Sequence, residues 1–201
     1  MPTALRVLLL LTLALLAGCG GMRLIDAQVQ AHTTLAAGSA IDKGARYRFE
    51  RLPSQTEEAV RTEQLESIAE AALAQVGLVR DEAQARYSVL LGTRLQSYLA
   101  DAWGRPLGSP ASGLYGSLML GTGGSAFGMG MRFPPPTHYR FEVSLLLRDL
   151  PSGQVVFETR ATHDGPWADA GNILPAMFEA ALQDFPHPPS GPRQIKIEIP
   201  R

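Results

Sequence analysis

Cysteine is nearly missing from this chain, whose 201 residues include only Cys19. An internal disulfide is therefore excluded, and any folded domain must be held together by its hydrophobic core. A zinc site of the usual kind is not expected, because no second thiolate exists and the four histidines, His32, His138, His163 and His187, share no ligand spacing. Charged residues make up only 18% of the chain and the net charge is −1, so the composition does not favour nucleic acid as a partner.

Long apolar runs are also scarce, and the clearest one occupies residues 7–16, interrupted only by Thr12. A transmembrane helix needs about 20 apolar residues, so this run is too short to span a bilayer and is typical of a secretory signal. It ends in LAGC at positions 16–19, which resembles the bacterial lipobox. We therefore predict that residues 1–18 are a cleaved lipoprotein signal peptide and that Cys19 carries the lipid.

The lipobox resemblance implies a diacylglyceryl group on Cys19 and an acyl chain, such as palmitate, on its freed amine. Two or more acyl chains hold a protein stably on a membrane. Gly20 and Gly21 follow the cysteine, whereas retention at the inner membrane typically uses Asp in the next position. We predict an outer-membrane protein that faces the periplasm. The alternative is an ordinary secreted protein with an unrelated cysteine near its cleavage site.

Apolar periodicity divides the rest of the chain. Residues 65–76 have the spacing of an amphipathic helix that ends at Gly77, with Ser54 and Glu57 as a capping box upstream. A second helix is predicted after Asn172, with Pro175 in its first turn. Apolar residues alternate with polar ones in several further segments, which predicts strands at 25–31, 47–49, 87–96, 138–147, 155–161 and 195–199.

This order of elements predicts an α+β fold, in which a mostly antiparallel sheet has two helices packed on one face. We assign residues 19–40 to the lipid anchor, tether and a candidate first strand, and residues 41–190 to a single α+β domain. Residues 191–201 form a C-terminal tail with a candidate edge strand. The five acidic side chains along the first helix are interpreted as a solvated face: Glu57, Glu58, Glu63, Glu66 and Glu70.

Several of these segments together resemble bacterial lipoproteins that carry domain of unknown function 4136. The matching segments are YRF at 47–49, AALAQVGL at 71–78, YSVLL at 87–91, LLLRDLPSGQVVFETRA at 145–161 and ALQDFPHPP at 181–189. The chain departs from the family pattern at Ala85 and Arg86, where an Asp is usual, and at Phe157, where a Trp is usual. The resemblance covers about 140 residues and implies fold and location only, since the family has no known activity.

Motifs for catalysis are weak. His163 and Asp164 lie next to each other and are interpreted as polar residues of a turn, the alternative being part of a triad beside a serine. The glycine pattern at 121–126 matches a dinucleotide loop, but prolines rather than a helix follow it, so that interpretation is rejected. We predict a protein that is not an enzyme and uses no cofactor.

The Gly/Pro-rich segment 101–136 is predicted to be a loop, yet it is unusually apolar. Three interpretations compete: a structural excursion folded over the sheet, a patch that contacts a partner protein or the bilayer, and a Cu(I) site built on methionine thioethers. The copper interpretation uses Met119, Met129 and Met131. Candidate interaction residues are Trp103, Tyr115, Met119, Phe127, Met129, Met131 and Phe133.

Taken together, these features predict a non-catalytic accessory or interaction module of the cell envelope. Its expected partners are the membrane, through the lipid on Cys19, and an envelope protein that contacts segment 101–136. The alternative is a binding protein that holds an apolar or lipid-like small molecule, or Cu(I), between the sheet and that segment.

Overall fold

The computed structural model describes residues 21–36, 39–101, 103–107, 113–121, 124–132 and 135–200. The described residues form nine strands and three helices. In chain order these are β1 (Met22–Thr33), β2 (Arg46–Glu50), α1 (Pro53–Glu57), α2 (Ala59–Gln75), β3 (Val79–Arg80), β4 (Tyr87–Leu99), β5 (Gly113–Gly121), β6 (Gly124–Arg132), β7 (Thr137–Asp149), β8 (Val155–Gly165), α3 (Ala170–Leu182) and β9 (Arg193–Pro200).

Seven of these strands form one sheet in the order β3-β2-β4-β7-β8-β1-β9, and β5 and β6 form a separate two-stranded sheet. The strands from β4 to β9 in this order are antiparallel, with Tyr87 opposite Asp149 and Leu99 opposite Thr137 across β4 and β7. Strand β2 runs parallel to both of its neighbours, β3 and β4.

The prediction of a mostly antiparallel sheet with two helices is therefore wrong, because the sheet is mixed and has three helices. The helices between β2 and β4 return the chain to the end of the sheet at which β2 began, so β4 runs in the same direction. The third helix arises because the predicted first helix breaks at Glu58, which has φ −105° and ψ 43°.

Both predicted helix starts are also displaced. Helix α1 begins at Pro53, and the Gln55 side chain accepts a hydrogen bond from the backbone N–H of Leu52 at 2.8 Å, so Ser54 does not act as the cap. Helix α3 begins at Ala170 rather than after Asn172. The side chain of Asn172 instead donates to Asp169, the residue that precedes this helix.

The core lies between helices α2 and α3 and one face of the seven-stranded sheet. Alternate residues of β4, β7 and β8 point into it, and Phe157 packs edge-on against Phe185 at a ring distance of 4.9 Å. Complete burial of an aliphatic or aromatic side chain contributes roughly 1.5–3 kcal/mol. The largest fully buried side chains are Tyr47, Phe141, Phe157, Phe178, Ile25, Leu73, Leu145, Leu147, Ile173, Met177, Val29 and Val89.

The other face of the sheet carries the alternate, polar residues of the same strands. Ion pairs link different strands there: Arg160 in β8 lies 3.6 Å from Glu142 in the neighbouring β7, and Arg148 in β7 lies 3.7 Å from Glu50 in β2, across β4. Within the part of the chain that the structure describes, the helices lie on the apolar side only. The sheet therefore has one covered face and one charged face.

Candidate functional site

One end of the sheet collects the strand termini from which the most unusual segment emerges. Strands β1 and β7 begin there, and β4 and β8 end there, as the pairs Leu99–Thr137 and Tyr139–Gly165 show. We name this end, marked by Met22, Leu99, Thr137 and Gly165, the Met22 end. Neighbouring strands lie about 4.8 Å apart, so the start of β1 and the end of β4 are separated by roughly 14 Å.

Segment 101–136 leaves the sheet and returns to it at the Met22 end. The backbone N–H of Ala100 donates to the carbonyl oxygen of Pro136 at 2.9 Å. The backbone N–H of Leu107 donates to the carbonyl oxygen of Leu99 at 2.8 Å. The segment was predicted to be a loop, but it contains the hairpin of β5 and β6, in which residue 118 pairs with residue 127. The loop prediction fails there because glycine interrupts the alternation expected of a strand.

Trp103 lies in a tight turn just after β4 and is 80% exposed. Asp101 holds this turn, since its carboxylate accepts the backbone N–H groups of Trp103 and Arg105, each at 2.9 Å. The Arg105 guanidinium also donates to Asp101 at 2.8 Å and stacks over the Trp103 ring at 5.2 Å. These hydrogen bonds lower the pKa of Asp101, and the one from the Arg105 backbone N–H has the largest effect.

Trp167 lies just after β8 and is 37% exposed. The guanidinium of Arg23, in β1, stacks over its ring at 5.5 Å and forms an ion pair with Asp169 at 2.8 Å. The pKa of Asp169 is lowered, chiefly by the hydrogen bond from the Asn172 side chain and then by that from Arg23. Trp167 is thereby fixed between the start of β1 and the start of α3.

Asp164 lies between the two tryptophan turns, on the polar face of the sheet. It accepts hydrogen bonds from the Tyr98 hydroxyl at 3.0 Å and from Arg140 at 2.8 Å. Burial, followed by the hydrogen bond to Asp164, raises the pKa of Tyr98. Asp164 is thus part of a cross-strand polar cluster.

His163 and Asp164 do not lie in a turn as predicted, because both are residues of β8. Successive residues of a strand point to opposite faces of the sheet. His163 is buried on the core side, where its Nδ1 lies 3.0 Å from the carbonyl oxygen of Asp26. The two side chains are therefore not arranged as the paired members of a catalytic triad.

A cleft of about 550 Å³ opens between α2 and α3, over the ends of β4 and β7 nearest the Met22 end. Its apolar lining consists of Leu65, Ile68, Leu95, Phe141, Ala170 and Leu174. Its polar lining consists of Ser54, Gln55, Glu58, Arg61, Thr62, Gln64 and Thr93, with Gly171 at one edge. The lining is thus divided about equally between apolar and polar residues. A small-molecule site combines an apolar surface with polar groups that fix the orientation of the ligand.

Glu66 departs from the predicted solvated face of the first helix, since it is only 3% exposed. Arg51 covers it with a bidentate ion pair, with distances of 2.6 Å and 2.9 Å from guanidinium nitrogen to carboxylate oxygen. Arg80 approaches the same carboxylate at 3.7 Å and also contacts Glu70 and Glu82. This cluster lies near the β3 edge of the sheet, and we interpret it as structural.

The predicted interaction residues fall into three groups. Trp103 is described in full and is exposed. Five positions of the hairpin have a described backbone only: 115, 119, 127, 129 and 131. The register places positions 129 and 131 on one face of the hairpin and position 119 on the other, while the Cu(I) hypothesis stays a prediction. The signal peptide, Cys19 and Phe133 lie outside the described residues.

Among the described residues, no group of three or more His, Cys, Asp or Glu side chains could hold a metal ion. None of the described helices is both long enough and apolar enough to cross a membrane.

Comparison with known proteins gives a family match over most of the chain. The family model described as "Domain of unknown function (DUF4136)" matches residues 32–187. No curated protein matches the chain.

Solved structures that resemble the chain do so distantly. A PDZ domain protein from Parabacteroides distasonis is 13% identical with a TM-score of 0.46; the match covers 89% of this chain but 39% of that protein. Two structures of the PelC dodecamer from Paraburkholderia phytofirmans are 15% and 16% identical, with TM-scores of 0.42 and 0.41. They cover 78% of this chain and 94% and 95% of PelC. TM-scores this low carry no functional argument.

Proposed function

We propose a function for the chain, which belongs to the DUF4136 family. It is a lipoprotein anchored through Cys19 to the periplasmic face of the outer membrane. There it acts as a non-catalytic interaction module of the cell envelope. The supporting observation is that the first strand and segment 101–136 share the Met22 end of the sheet. Met22 follows Cys19 by three residues, which span at most about 11 Å.

This arrangement favours an interaction close to the membrane. An acylated Cys19 would keep the Met22 end within about 11 Å of the lipid surface, and segment 101–136 starts about 14 Å from β1 across the sheet. A partner that contacts the segment would therefore also lie at the membrane. Among the described strands, β5 and β6 pair only with each other, and a strand from a partner would extend this hairpin at its outer edges.

The electrostatics of the Met22 end fit binding better than catalysis. Asp101 and Asp169 each accept a hydrogen bond from an arginine, and the pKa of each carboxyl is lowered. A general base at neutral pH works best with a pKa near 7. Carboxylates held ionised in this way position the tryptophan turns instead.

Lipidation is tested by producing the full chain in a Gram-negative host that is fed an alkyne analogue of palmitate. We expect the wild type to incorporate the label and to fractionate with the outer membrane. Cys19→Ala is expected to incorporate none, because the thiol is the site of acylation. Equal labelling of both proteins, or fractionation of the wild type away from membranes, would overturn the proposal.

Partner binding is tested by in-cell crosslinking of the full chain and of a variant that lacks residues 104–132. We expect crosslinks to envelope proteins in the wild type and their loss in the deletion variant. Arg94→Ala, on the polar face of β4, serves as a control that leaves the segment intact. Unchanged crosslinks after the deletion would contradict an interaction role for the segment.

The cleft between α2 and α3 supports a second candidate function, binding of an apolar or lipid-like small molecule. Its position differs from the predicted one, because the described lining comes from helices and sheet rather than from segment 101–136. A ligand that binds only the native state raises the melting temperature by mass action. A thermal-shift screen of fatty acids and phospholipids, with Cu(I) in a separate arm, tests this.

Leu95→Lys places a charge in the floor of the cleft and is expected to abolish any shift caused by an apolar ligand. Val79→Lys makes a similar change at a comparably exposed apolar residue, 50% against 46%, in β3 and away from the cleft. A shift that survives Leu95→Lys would rule out the cleft as the binding site.

A further inference from the structure

The two tryptophans of the chain both lie at the Met22 end. Trp103 follows the last residues of β4, and Trp167 follows the last residue of β8. Only β7 separates these strands, so their ends lie two strand spacings apart, or about 10 Å. A flat surface that met this end of the sheet would therefore contact both tryptophan turns.

Both indole rings are exposed and both are held by an arginine. Trp103 is 80% exposed beneath Arg105, and Trp167 is 37% exposed beneath Arg23. Tryptophan is enriched at the membrane–water interface, because its ring is apolar while its N–H still needs a polar partner. Arginine beside it can keep its charge in the headgroup layer while its stem packs against the ring.

Further apolar side chains are exposed at the same end. Met22 is 61% exposed and Leu24 is 45% exposed, and both lie at the start of β1, soon after the anchor position. Exposed apolar residues grouped in this way mark interaction surfaces. The arginines that stack on the rings are neutralised by Asp101 and Asp169, at 2.8 Å in each case. The surface is therefore apolar and aromatic with balanced charge.

We infer that the Met22 end is a membrane-contact surface, in which Trp103 and Trp167 enter the interfacial layer of the bilayer that holds Cys19. This inference rests on the proposed function, since the acylated Cys19 is what brings the bilayer within about 11 Å of Met22. A bilayer is favoured over a protein partner because the tether fixes its distance. Balanced charge means that contact needs no anionic lipid.

Intrinsic fluorescence tests the inference directly, because the chain has only two tryptophans. The full lipidated protein is reconstituted in phosphatidylethanolamine and phosphatidylcholine vesicles, with or without brominated acyl chains. Trp103→Phe leaves Trp167 as the sole tryptophan, and Trp167→Phe leaves Trp103, so that tryptophan emission reports one position at a time. We expect the bromine to lower the emission of each variant about twofold, with no further change when phosphatidylglycerol is added.

Val79→Trp, made in a protein with both tryptophans replaced by Phe, is the matched control. Val79 is 50% exposed in β3, which pairs with the start of β2 at the opposite end of the sheet from Met22. Strand β4 spans 13 residues between the two ends, a distance of about 40 Å. We expect bromine to leave the emission of this control unchanged.

The outcomes separate the inference from the function on which it rests. If mass spectrometry shows acyl chains on Cys19 but neither tryptophan is quenched, the inference is overturned and the lipoprotein proposal stands. Quenching of the Val79→Trp control to the same extent would also overturn it. If the purified protein carries no acyl chain, the proposed function fails first. Circular dichroism of each variant confirms that the substitutions leave the fold intact.

Discussion

The hydroxyl of Thr159, in the middle of β8, donates a hydrogen bond to the carbonyl oxygen of Ala181 in α3 across 2.8 Å. The last carbonyls of a helix have no partner within the helix. Thr159 is buried, so its hydroxyl satisfies an acceptor that water does not reach, and it ties the helix to the sheet. Replacing Thr159 by Val keeps the shape and removes the donor. We expect the free energy of unfolding to fall by about 1–2 kcal/mol.

Urea denaturation measures this change, and Thr162→Val is the matched control. Thr162 lies in the same strand, on the polar face and away from α3. Surface substitutions usually change stability by less than about 0.5 kcal/mol. If the two variants were equally stable, the Thr159 bond would contribute nothing to the docking of α3.

The pair of Arg51 and Glu66 provides a second stability prediction. Replacing Glu66 by Gln keeps one oxygen that accepts from Arg51, but it turns the other acceptor into an amide NH2 group and removes the charge. We expect a loss of about 1–2 kcal/mol. Arg51→Met is expected to destabilise more, because it leaves a buried carboxylate without its bidentate partner. The double variant with Met at both positions should recover part of that loss.

Chemical denaturation of the wild type, Arg51→Met, Glu66→Met and the double variant forms a double-mutant cycle. We expect the double variant to lose less stability than the two single variants lose in sum, and to be more stable than Arg51→Met alone. Additive losses would show that the pair is not coupled and that Glu66 is stabilised from elsewhere, with Arg80 at 3.7 Å as the next candidate.

Glu66 also shows where the sequence stops being informative. A helical pattern separates an apolar face from a polar one, and it places Glu66 with the four other acidic residues of that helix. Its burial depends on Arg51, a residue outside the helix that folds over it. Side-chain periodicity gives no information about a partner that is distant in the fold. The predicted solvated face therefore wrongly includes Glu66.

The strands show the same division between local and non-local information. Alternation predicts a strand at 87–96, and β4 covers Tyr87–Leu99. The period of two indicates which residues share a face but not the direction in which the strand runs. The parallel pairing of β2 with β4 is set by the helices between them, which explains why the mixed sheet was not predicted.

The hairpin of β5 and β6 was missed for a chemical reason. Glycine occupies many of its positions and has low strand propensity, so the segment has the composition of a loop. The two Trp–Arg pairs of the Met22 end were also missed. Trp103 was predicted as an interaction residue, but Arg23 and Trp167 are 144 residues apart in the chain. Only the pairing of β1 with β8 brings them together.

Asp149, at the end of β7, is expected to make the stability of the fold fall at acidic pH. Its carboxylate accepts the Ser152 hydroxyl at 2.7 Å, the Ser152 N–H at 3.2 Å and Arg86 at 3.1 Å. The Ser152 hydroxyl is the largest of the causes that lower the pKa of Asp149. A lowered folded-state pKa contributes stability above the unfolded value of about 3.9, and that stability is lost as pH falls through the folded pKa.

We therefore expect Asp149→Asn to be less stable than the wild type at pH 7, by about 1 kcal/mol, and to lose less stability as the pH falls below about 4. Ser152→Ala should have an intermediate effect, because it removes the strongest of the three bonds. Urea midpoints from pH 7 down to pH 2 measure both slopes. Parallel pH profiles for the wild type and Asp149→Asn would show that this carboxylate does not contribute to acid sensitivity.

Removing residues 104–132 should leave the seven-stranded sheet folded. The β5–β6 hairpin forms its own sheet, and Leu99 and Thr137 lie directly opposite each other where the segment begins and ends. The deletion leaves eight residues to connect them, and the entropy cost of closing a loop falls slowly as the loop shortens. We expect cooperative thermal unfolding with a melting temperature within a few degrees of the wild type.

Removal of β9 is the control for the deletion of residues 104–132, because β9 is part of the main sheet. That strand buries Ile195 and Ile199 against β1 and the core, and loss of two such side chains costs several kcal/mol. Differential scanning calorimetry of both truncated proteins separates a detachable segment from an integral strand. If loss of 104–132 lowered the melting temperature as much as loss of β9, the hairpin would be part of the structural core. Lost crosslinks would then report unfolding rather than a missing contact surface.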